Sequence, residues 1–402
     1  MRLLVDRIIR ISRAQTVKTV CAFFISFFRL LSTINMWEIP SVIFIVGIAM
    51  KARYFSSILI MAIVFVGFAG AQTDPNDAWN SSVEKAINYL RKNQAEDGSW
   101  SSKSSPGITG IIITGLIKTG KISVDDPMVA KGLKYIESLI NTKSGHIAGI
   151  DPRVQLQNYV TSVNVMALSS ANKDSYKAVV GNAAKFLKQL QWDETEGKNP
   201  KDDYYGGAGY DSKSRPDLSN TAFYLDALVA AGVPKDDPAF KKAIVFGSFI
   251  YSAAEGGGVR NADGPAKDGS MPGYASMTYA GIKSMIYCGV SKDDPRVKKA
   301  YEWVSNNYSL ESNPGMPPQR AAWGIFYYYN TMAKALDALE VTEVKDSKGV
   351  SHKWKDELAV TLAKKQSPDG SWSNPQDRWM EGDPNLVTGF ALMALSHAKP
   401  KK

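Results

Sequence analysis

The stretch Gln94-Ala-Glu-Asp-Gly-Ser-Trp100 returns almost unchanged as Gln366-Ser-Pro-Asp-Gly-Ser-Trp372. The two stretches lie 272 residues apart, which is five intervals of about 54 residues. Between them, a threonine followed seven residues later by Leu or Met marks further units, in the pairs Thr109/Leu116, Thr161/Leu168, Thr221/Leu228, Thr278/Met285 and Thr388/Leu395. A missing pair is expected near residue 333, where Thr331 lies close to the required place. The sequence therefore predicts six copies of one structural unit.

Each unit predicts a pair of helices. An Asp-Asp-Pro turn such as 236–238 is followed by an amphipathic helix such as 240–249 and then by a loop rich in Gly, Asp and Ser. The next helix is apolar on nearly every side, and its threonine is expected to pack or to bond to its own backbone. We expect these second helices to open at Pro216-Asp217, Pro272, Pro318 and Asp383-Pro384.

A helix that is apolar on every side is buried on every side, so each unit supplies one outer and one inner helix. The units at the two ends resemble the others, and neither carries a polar capping face. We therefore predict an all-α fold, a closed α/α toroid of six helical hairpins and twelve helices, over about residues 78–398.

Composition and charge exclude several classes of protein. The chain is 44% hydrophobic and 22% charged, which is typical of a globular protein. Its formal charge of +9 includes +6 from residues 1–71, so the charge does not indicate a nucleic-acid partner. Two cysteines, Cys21 and Cys288, exclude a disulfide framework. The three histidines, His146, His352 and His397, are too few and too scattered to predict a metal site, and no cofactor is expected.

The first seventy residues read as a targeting segment. Residues 50–71 contain a basic start, an apolar stretch and Ala69-Gly70-Ala71, which together are typical of a signal peptide cleaved before Gln72. We interpret residues 1–49 in one of two ways: translation begins at Met50 and these residues result from a start codon assigned too far upstream, or they form a membrane-associated extension. Residues 72–402 are then the exported toroid domain. The alternative is a membrane anchor over residues 39–70, interrupted by Lys51 and Arg53.

The repeated Gln-x-x-Asp-Gly-Ser-Trp stretch resembles the glutamine–tryptophan motif of squalene and oxidosqualene cyclases. Residues 78–398 as a whole resemble the prenyltransferase/squalene-cyclase repeat superfamily, whose fold is the α/α toroid. In that family the glutamine caps a helix end and the tryptophan ring stacks nearby. The resemblance therefore implies that Gln94, Trp100, Gln366 and Trp372 are structural ties between neighbouring hairpins.

The residues that carry the chemistry of that superfamily are missing. The sequence has no Asp-x-Asp-Asp run, which supplies the acid of class II cyclases. Cys288 has no Asp two residues before it, and 385–388 has no His where a zinc ligand would be expected. The Gly-Cys-Gly-Glu-Gln loop of thioester proteins is also absent. Whether the chain is an enzyme stays open.

Candidate ligand-binding residues stand where the inner helices begin. Backbone N–H groups converge at that mouth of a toroid, together with the loops that precede the helices. The candidates are Tyr205, Tyr210, Asn220, Tyr274, Arg320, Trp323, Tyr327, Asp383 and Asn385. Asp217 is the candidate catalytic acid. For Asp217 and Asp383 the alternative is a helix N-cap, and for the aromatic residues it is core packing.

Three functions are compatible with these features. The first is an exported toroid that binds a small apolar or isoprenoid-like ligand in its centre without the standard cyclase or prenyltransferase chemistry. The second is a divergent terpene cyclase, an isomerase, or a glycan-active enzyme that uses Asp217. The third is an envelope module that binds other proteins. Membrane contact is expected if the segment at 39–70 is retained, and the oligomeric state is not predicted.

Overall fold

The computed structural model describes residues 73–150, 156–252 and 273–399. Our predictions of an extension over 1–49 and of a signal peptide or membrane anchor within 39–71 lie outside these residues. Within the three described ranges, no helix is both long and apolar enough to cross a membrane.

Twelve α-helices alternate between an outer and an inner layer in the described residues. The outer helices are α1 (Pro75–Asn93), α3 (Pro127–Ser138), α5 (Lys177–Lys188), α7 (Pro238–Ser252), α9 (Pro295–Asn306) and α11 (Trp354–Lys365). The inner helices are α2 (Gly107–Lys118), α4 (Gln157–Ala171), α6 (Leu218–Ala230), α8 (Ala275–Tyr287), α10 (Ile325–Ala338) and α12 (Pro384–His397). A small antiparallel hairpin, β1 (Val344–Lys345) with β2 (Ser351–His352), precedes α11.

The inner helices form a closed ring. Each packs against the next, and α12 packs against α2, while α11 of the outer layer packs against α1. Two glycines allow the close contact between α12 and α2. A Cβ at Gly115 would lie 2.9 Å from Leu392, and one at Gly389 would lie 2.9 Å from Ile111. The prediction of an all-α toroid with twelve helices is confirmed.

Glutamine side chains bridge successive outer helices. In each case the amide nitrogen donates to a carbonyl of the following outer helix, and the bond from Gln366 joins α11 to α1, the two ends of the ring. The bonds run from Gln94 to Met128, from Gln191 to Ala239 and from Gln366 to Ser82, each at 2.9 Å. Gln191 performs this role without the full sequence motif.

The tryptophans of the two motif copies are buried inside their own units. The indole N–H of Trp100 donates to the carbonyl of Leu90 at 2.9 Å, and that of Trp372 donates to Leu362 at 2.8 Å. Both side chains are fully inaccessible to solvent. Each ring thereby fixes the loop after an outer helix to the last turn of that helix.

We expected the repeat threonines only to pack or to bond to their own helix backbone, but most of them also bond to the preceding loop. In four units the threonine hydroxyl accepts a hydrogen bond from a backbone N–H of the preceding loop, and so ties that loop to the inner helix. The donors are Trp100 to Thr109, Ile147 to Thr161, Ala208 to Thr221 and Trp372 to Thr388, at 3.0 to 3.2 Å.

The fifth unit places a different residue at the threonine position. Tyr329, seven residues before Leu336, donates its hydroxyl hydrogen to the carbonyl of Leu310 in the preceding loop at 2.5 Å. Thr331, which we expected at this place, bonds only to its own helix backbone in the described contacts. The larger side chain reaches the loop from the same helix face, so the tie is kept while the residue type changes.

The predicted start of one inner helix is also wrong. Pro318–Arg320 forms a separate 3-10 turn, and α10 begins seven residues later at Ile325. Gly324 precedes it with φ of 63°, a left-handed conformation that favours glycine and redirects the chain into the helix. The predicted starts at Asp217 and Asp383 are confirmed as N-caps of α6 and α12.

Candidate functional site

One face of each inner helix points to the centre of the ring. Counted from the repeat threonine, or from Tyr329, the positions at −2, +2, +5 and +9 lie within about 60° of one another on an α-helix. Two contacts between such positions cross the ring. Phe223 and Tyr327 have ring centroids 6.0 Å apart, and Asp226 accepts from Lys334 at 2.8 Å.

Both contacts join α6 to α10, although α8 lies between these helices in the ring. Side chains therefore meet at the centre and close it at this level. The exposed fraction is 5% or less for Phe223, Asp226 and Lys334. These side chains fill the middle of the ring at this level, so a single cavity that runs through the centre, as we expected, does not fit the structure.

Aromatic side chains line the end where the inner helices begin. Tyr159 of α4 packs its ring 5.0 Å from Phe223, and Tyr327 lies 5.9 Å from Phe390 of α12. Tyr210, in the loop before α6, is 6.5 Å from Tyr159. We call these five residues the N-terminal cup. They come from four of the six inner helices and one loop.

The N-terminal cup is partly accessible to solvent. Tyr159 and Tyr327 keep part of their surface accessible, and Tyr210 is 39% exposed. Burial raises the pKa of the Tyr159 and Tyr327 hydroxyls well above the ordinary value. These hydroxyls are therefore uncharged near neutral pH, and the cup presents neutral aromatic surface to whatever enters it.

Asp217 and Asn220 border the cup at the start of α6. One carboxylate oxygen of Asp217 accepts from the backbone N–H of Asn220 at 2.8 Å and from the hydroxyl of Ser219 at 2.5 Å. The other accepts from the amide of Asn220 at 2.6 Å. Asp217 thus has the geometry of a helix N-cap. A catalytic role for it stays a prediction.

Three further candidates lie at other inner-helix starts. Asp383 accepts from the backbone N–H groups of Asn385 and Leu386 at 2.8 and 3.3 Å. The amide of Asn385 donates to the hydroxyl of Ser101 at 3.0 Å, which links α12 to the loop before α2. Tyr274 is the N-cap residue of α8 and is buried.

Arg320 and Trp323 belong to a cluster of arginine and tryptophan side chains. The Arg320 guanidinium lies 4.7 Å from the Trp323 ring. Arg378 lies 5.5 Å from that ring and 5.2 Å from the ring of Trp379. Burial and the charge of Asp217 raise the pKa of Tyr210, and the positive charge of Arg378 partly offsets this effect, so Arg378 acts electrostatically on one tyrosine of the N-terminal cup.

Tyr205 lies elsewhere. Its hydroxyl donates to Glu194 at 2.7 Å, and Lys242 of the outer helix α7 lies 6.0 Å from its ring. The glycine-rich loop that suggested a place in the cup turns this side chain towards the outer layer. Tyr210, five residues later, is the tyrosine of the loop that reaches the cup.

Cys288 and the three histidines form no common site within the described ranges. Burial raises the pKa of Cys288 to about 12, so its thiol is unreactive. His352 bonds to Glu357 at 3.0 Å, and His397 bonds to Asp337 at 2.9 Å. Among the residues that the structure describes, no group of three or more His, Cys, Asp or Glu side chains could hold a metal ion.

Glu381 is a buried carboxyl that our sequence reading missed. One oxygen accepts from the backbone N–H groups of Phe326 and Tyr327 at 3.0 and 2.8 Å, and the other accepts from Asn374 at 2.8 Å. Glu381 therefore caps α10, whose N-cap residue Gly324 has no side chain to do so. Burial raises its pKa to about 7, against the opposite effect of these hydrogen bonds. No local pattern signals a cap that lies 55 residues away in the sequence.

A second missed group is a buried triad of Asp226, Lys283 and Lys334. One oxygen of Asp226 bonds to Lys283 at 2.5 Å and the other to Lys334 at 2.8 Å. Burial would raise the pKa of Asp226, but the two ammonium groups lower it to about 2. All three residues stand five positions after the repeat threonine or Tyr329. Charges inside otherwise apolar helices, at one repeat position, were the signal that could have found them.

The architecture matches solved structures of a terpene cyclase. A variant of the type II terpene cyclase MstE from Scytonema, without ligand, superposes with a TM-score of 0.53 and 11% identity, over 81% of this chain and 97% of that chain. A variant of MstE in complex with geranylgeranyl dihydroxybenzoate gives 0.52 and 12% over the same shares. No protein-family model and no curated protein matches the sequence. At this identity the likeness establishes the fold: the chain has the α/α toroid of a type II terpene cyclase.

Proposed function

We propose that the protein binds an apolar, isoprenoid-like molecule in the N-terminal cup, without the standard cyclase or prenyltransferase chemistry. The observation that carries this proposal is the continuous series of aromatic rings from four inner helices, partly open to solvent. Such rings offer apolar surface, and each Å² of it that a ligand removes from water contributes about 25 cal/mol. A solved structure with the same fold, the MstE variant described above, is a complex with geranylgeranyl dihydroxybenzoate.

The absence of catalysis is supported by the sequence and by Asp217. The chain has no Asp-x-Asp-Asp run, and both oxygens of Asp217 accept hydrogen bonds at the helix start. A cyclase acid must be protonated when it meets the substrate, whereas an N-cap carboxylate is stabilised as the acceptor. We also propose that the domain is exported after cleavage before Gln72. Export would give it access to an isoprenoid-like ligand in a membrane.

The test is a titration of the full chain with geranylgeraniol, in which intrinsic tryptophan fluorescence reports binding. The matched pair of variants is Tyr159→Ala in the N-terminal cup and Tyr135→Ala in the outer helix α3, since both tyrosines are half-buried. We expect Tyr159→Ala to weaken binding roughly tenfold to a hundredfold and Tyr135→Ala to leave it unchanged. Equal binding by both variants, or no binding by the native chain, would reject the cup as the site.

An enzymatic function is the second candidate, and Glu381 is the observation that favours it. Its raised pKa and the capping geometry of Asp217 give two carboxyl groups with different environments near the same mouth. Hydrolases use such pairs as acid and base. Turnover of a polyprenyl or oligosaccharide substrate by the native chain, lost in both Asp217→Asn and Glu381→Gln, would support this candidate over the binding role.

A protein-interaction role is favoured by Trp379 and Met380. Both side chains are exposed, by 48% and 40%, and both residues have positive φ, at 56° and 65°. Holding two bulky residues in the left-handed region costs of order 1 to 3 kcal/mol each and is concentrated at functional sites. A partner that no longer binds a Trp379→Ala variant, while ligand binding is intact, would identify this surface as an interface.

A further inference from the structure

Two arginines and two tryptophans in the loops before α10 and α12 stack on one another. The guanidinium groups of Arg320 and Arg378 lie 4.7 and 5.5 Å from the centre of the Trp323 ring. Arg378 is also 5.2 Å from the ring of Trp379, which meets Trp323 edge to face at 6.1 Å. We call these four residues, together with Met380, the arginine–tryptophan patch.

Both arginines of the patch keep their hydrogen-bond donors free. Within the described ranges, neither the Arg320 nor the Arg378 guanidinium has an ion pair or a hydrogen bond. The carboxylates that lie close to Arg378 in the same loop, Asp377, Glu381 and Asp383, accept backbone N–H groups instead. A guanidinium that stacks on an aromatic ring can still offer its in-plane N–H groups to a carboxylate. The patch therefore carries two positive charges that no carboxylate of its own loops neutralises by direct contact.

The patch also presents apolar surface to solvent. Trp379 and Met380 are 48% and 40% exposed, and the Arg378 side chain beside them is exposed as well. Tryptophan, methionine and arginine are enriched at the interfaces between proteins, and tryptophan and arginine supply much of the binding energy there. The composition of this surface is therefore that of an interface.

The two loops that carry the patch are bound to each other. The side-chain amide of Asn374 donates to the carbonyl of Ala322 at 2.7 Å and to the carboxylate of Glu381 at 2.8 Å. These bonds tie the loop before α12 to the loop before α10. The ring of Trp379 lies against Gly324, where an added Cβ would be 3.1 Å from it. Side chains that are held in place before binding lose less conformational entropy when a partner arrives.

We infer that the arginine–tryptophan patch binds an acidic segment of a partner protein. Carboxylates of that segment accept charge-assisted hydrogen bonds from Arg320 and Arg378, and a neighbouring apolar side chain packs on Trp379 and Met380. Charge complementarity decides the choice of partner, since two guanidinium groups without a carboxylate stand beside exposed apolar surface. The inference rests on the protein-interaction role proposed above for Trp379 and adds the chemistry of the partner. It does not depend on a ligand in the N-terminal cup.

The experiment titrates two fluorescently labelled peptides with the full chain. The first, Gly-Glu-Asp-Leu-Phe-Glu-Asp-Gly, carries carboxylates around an apolar centre, and the second has Gln and Asn in place of Glu and Asp. The variants are Arg378→Gln and Trp379→Ala, and the matched control is Lys364→Gln, which removes one positive charge from an exposed position of α11. Sedimentation with phosphatidylglycerol vesicles is measured in parallel. The thermal midpoint of each variant is recorded to confirm that it folds.

We expect the native chain and Lys364→Gln to bind the acidic peptide saturably, and roughly tenfold more tightly than the neutral peptide. Arg378→Gln and Trp379→Ala should each bind the acidic peptide roughly tenfold more weakly than the native chain. Equal binding of the two peptides, with the loss in Trp379→Ala still present, would overturn the acidic partner and leave the interface standing. Equal binding of the acidic peptide by Arg378→Gln and the native chain, no binding of either peptide, or binding of the vesicles in place of the peptide would overturn the inference.

Discussion

Replacing Asp226 by asparagine removes the carboxylate that two buried lysines share. The native pKa of about 2, against an ordinary 3.8, means that the ionised form contributes of order 2 kcal/mol to stability at neutral pH. The variant also leaves Lys283 and Lys334 facing each other without a counter-charge, and removing one partner of a buried pair typically costs about 3 to 5 kcal/mol. We expect the free energy of unfolding to fall by roughly 3 to 5 kcal/mol.

The assay is urea denaturation of Asp226→Asn at pH 7.5, followed by circular dichroism. The control is Asp293→Asn, which removes an aspartate paired with Lys298 at 2.8 Å on the surface, where we expect no measurable change. A triple variant, Asp226→Leu with Lys283→Met and Lys334→Met, should regain most of the lost stability because no charge is left unpaired. A fall of less than about 1 kcal/mol in Asp226→Asn would refute the reasoning that the triad is a desolvated ion cluster.

Two further predictions concern a buried acid and a glycine. The folded pKa of Glu381 lies above its unfolded value of 4.5, so its proton stabilises the fold below pH 4.5, and this stability is lost as pH rises to about 7. Between pH 4.5 and 7.5 the unfolding free energy of the native chain should fall by roughly 2 to 3 kcal/mol relative to that of Glu381→Gln, both measured by urea titration. The same pH dependence of the unfolding free energy in the two proteins would contradict this. Gly370 has φ of 95°, and an added Cβ would lie 2.4 Å from the carbonyl of Lys85 in α1, so Gly370→Ala should lose about 2 to 4 kcal/mol. Gly120→Ala, with φ of 69° and open space, should lose only about 1 kcal/mol in the same urea assay, and equal losses would argue against close contact at the ring closure.

The fold could be predicted because its repeating contacts use the same residue types. A threonine tie between loop and inner helix needs one small hydroxyl residue per unit, so Thr109 and Thr388 stand out at a fixed spacing. The fifth unit was misaligned because Tyr329 makes the equivalent tie with a different side chain. The predicted start of α10 was wrong because the N-terminal N–H groups of this helix are capped by Glu381, a residue from another unit.

The candidate site could be predicted only in part. Tyr327 and Tyr210 were predicted as ligand-binding residues, and the structure places both in the N-terminal cup. Tyr159, Phe223 and Phe390 were missed, because a helix that is buried on every side carries no polar face to reveal which side points to the centre of the ring. Once the register of the repeat threonine is known, the −2 and +2 positions identify them.

Native mass spectrometry of the full chain, extracted gently from the cells that make it, tests the central claim most directly. We predict a stoichiometric adduct with an isoprenoid mass on the native chain. The adduct should be retained by Tyr135→Ala, whose change lies in the outer helix α3, and lost from Tyr159→Ala in the N-terminal cup. A native chain that carries no adduct, or an adduct that persists in Tyr159→Ala, would contradict the claim that the N-terminal cup holds an isoprenoid-like ligand.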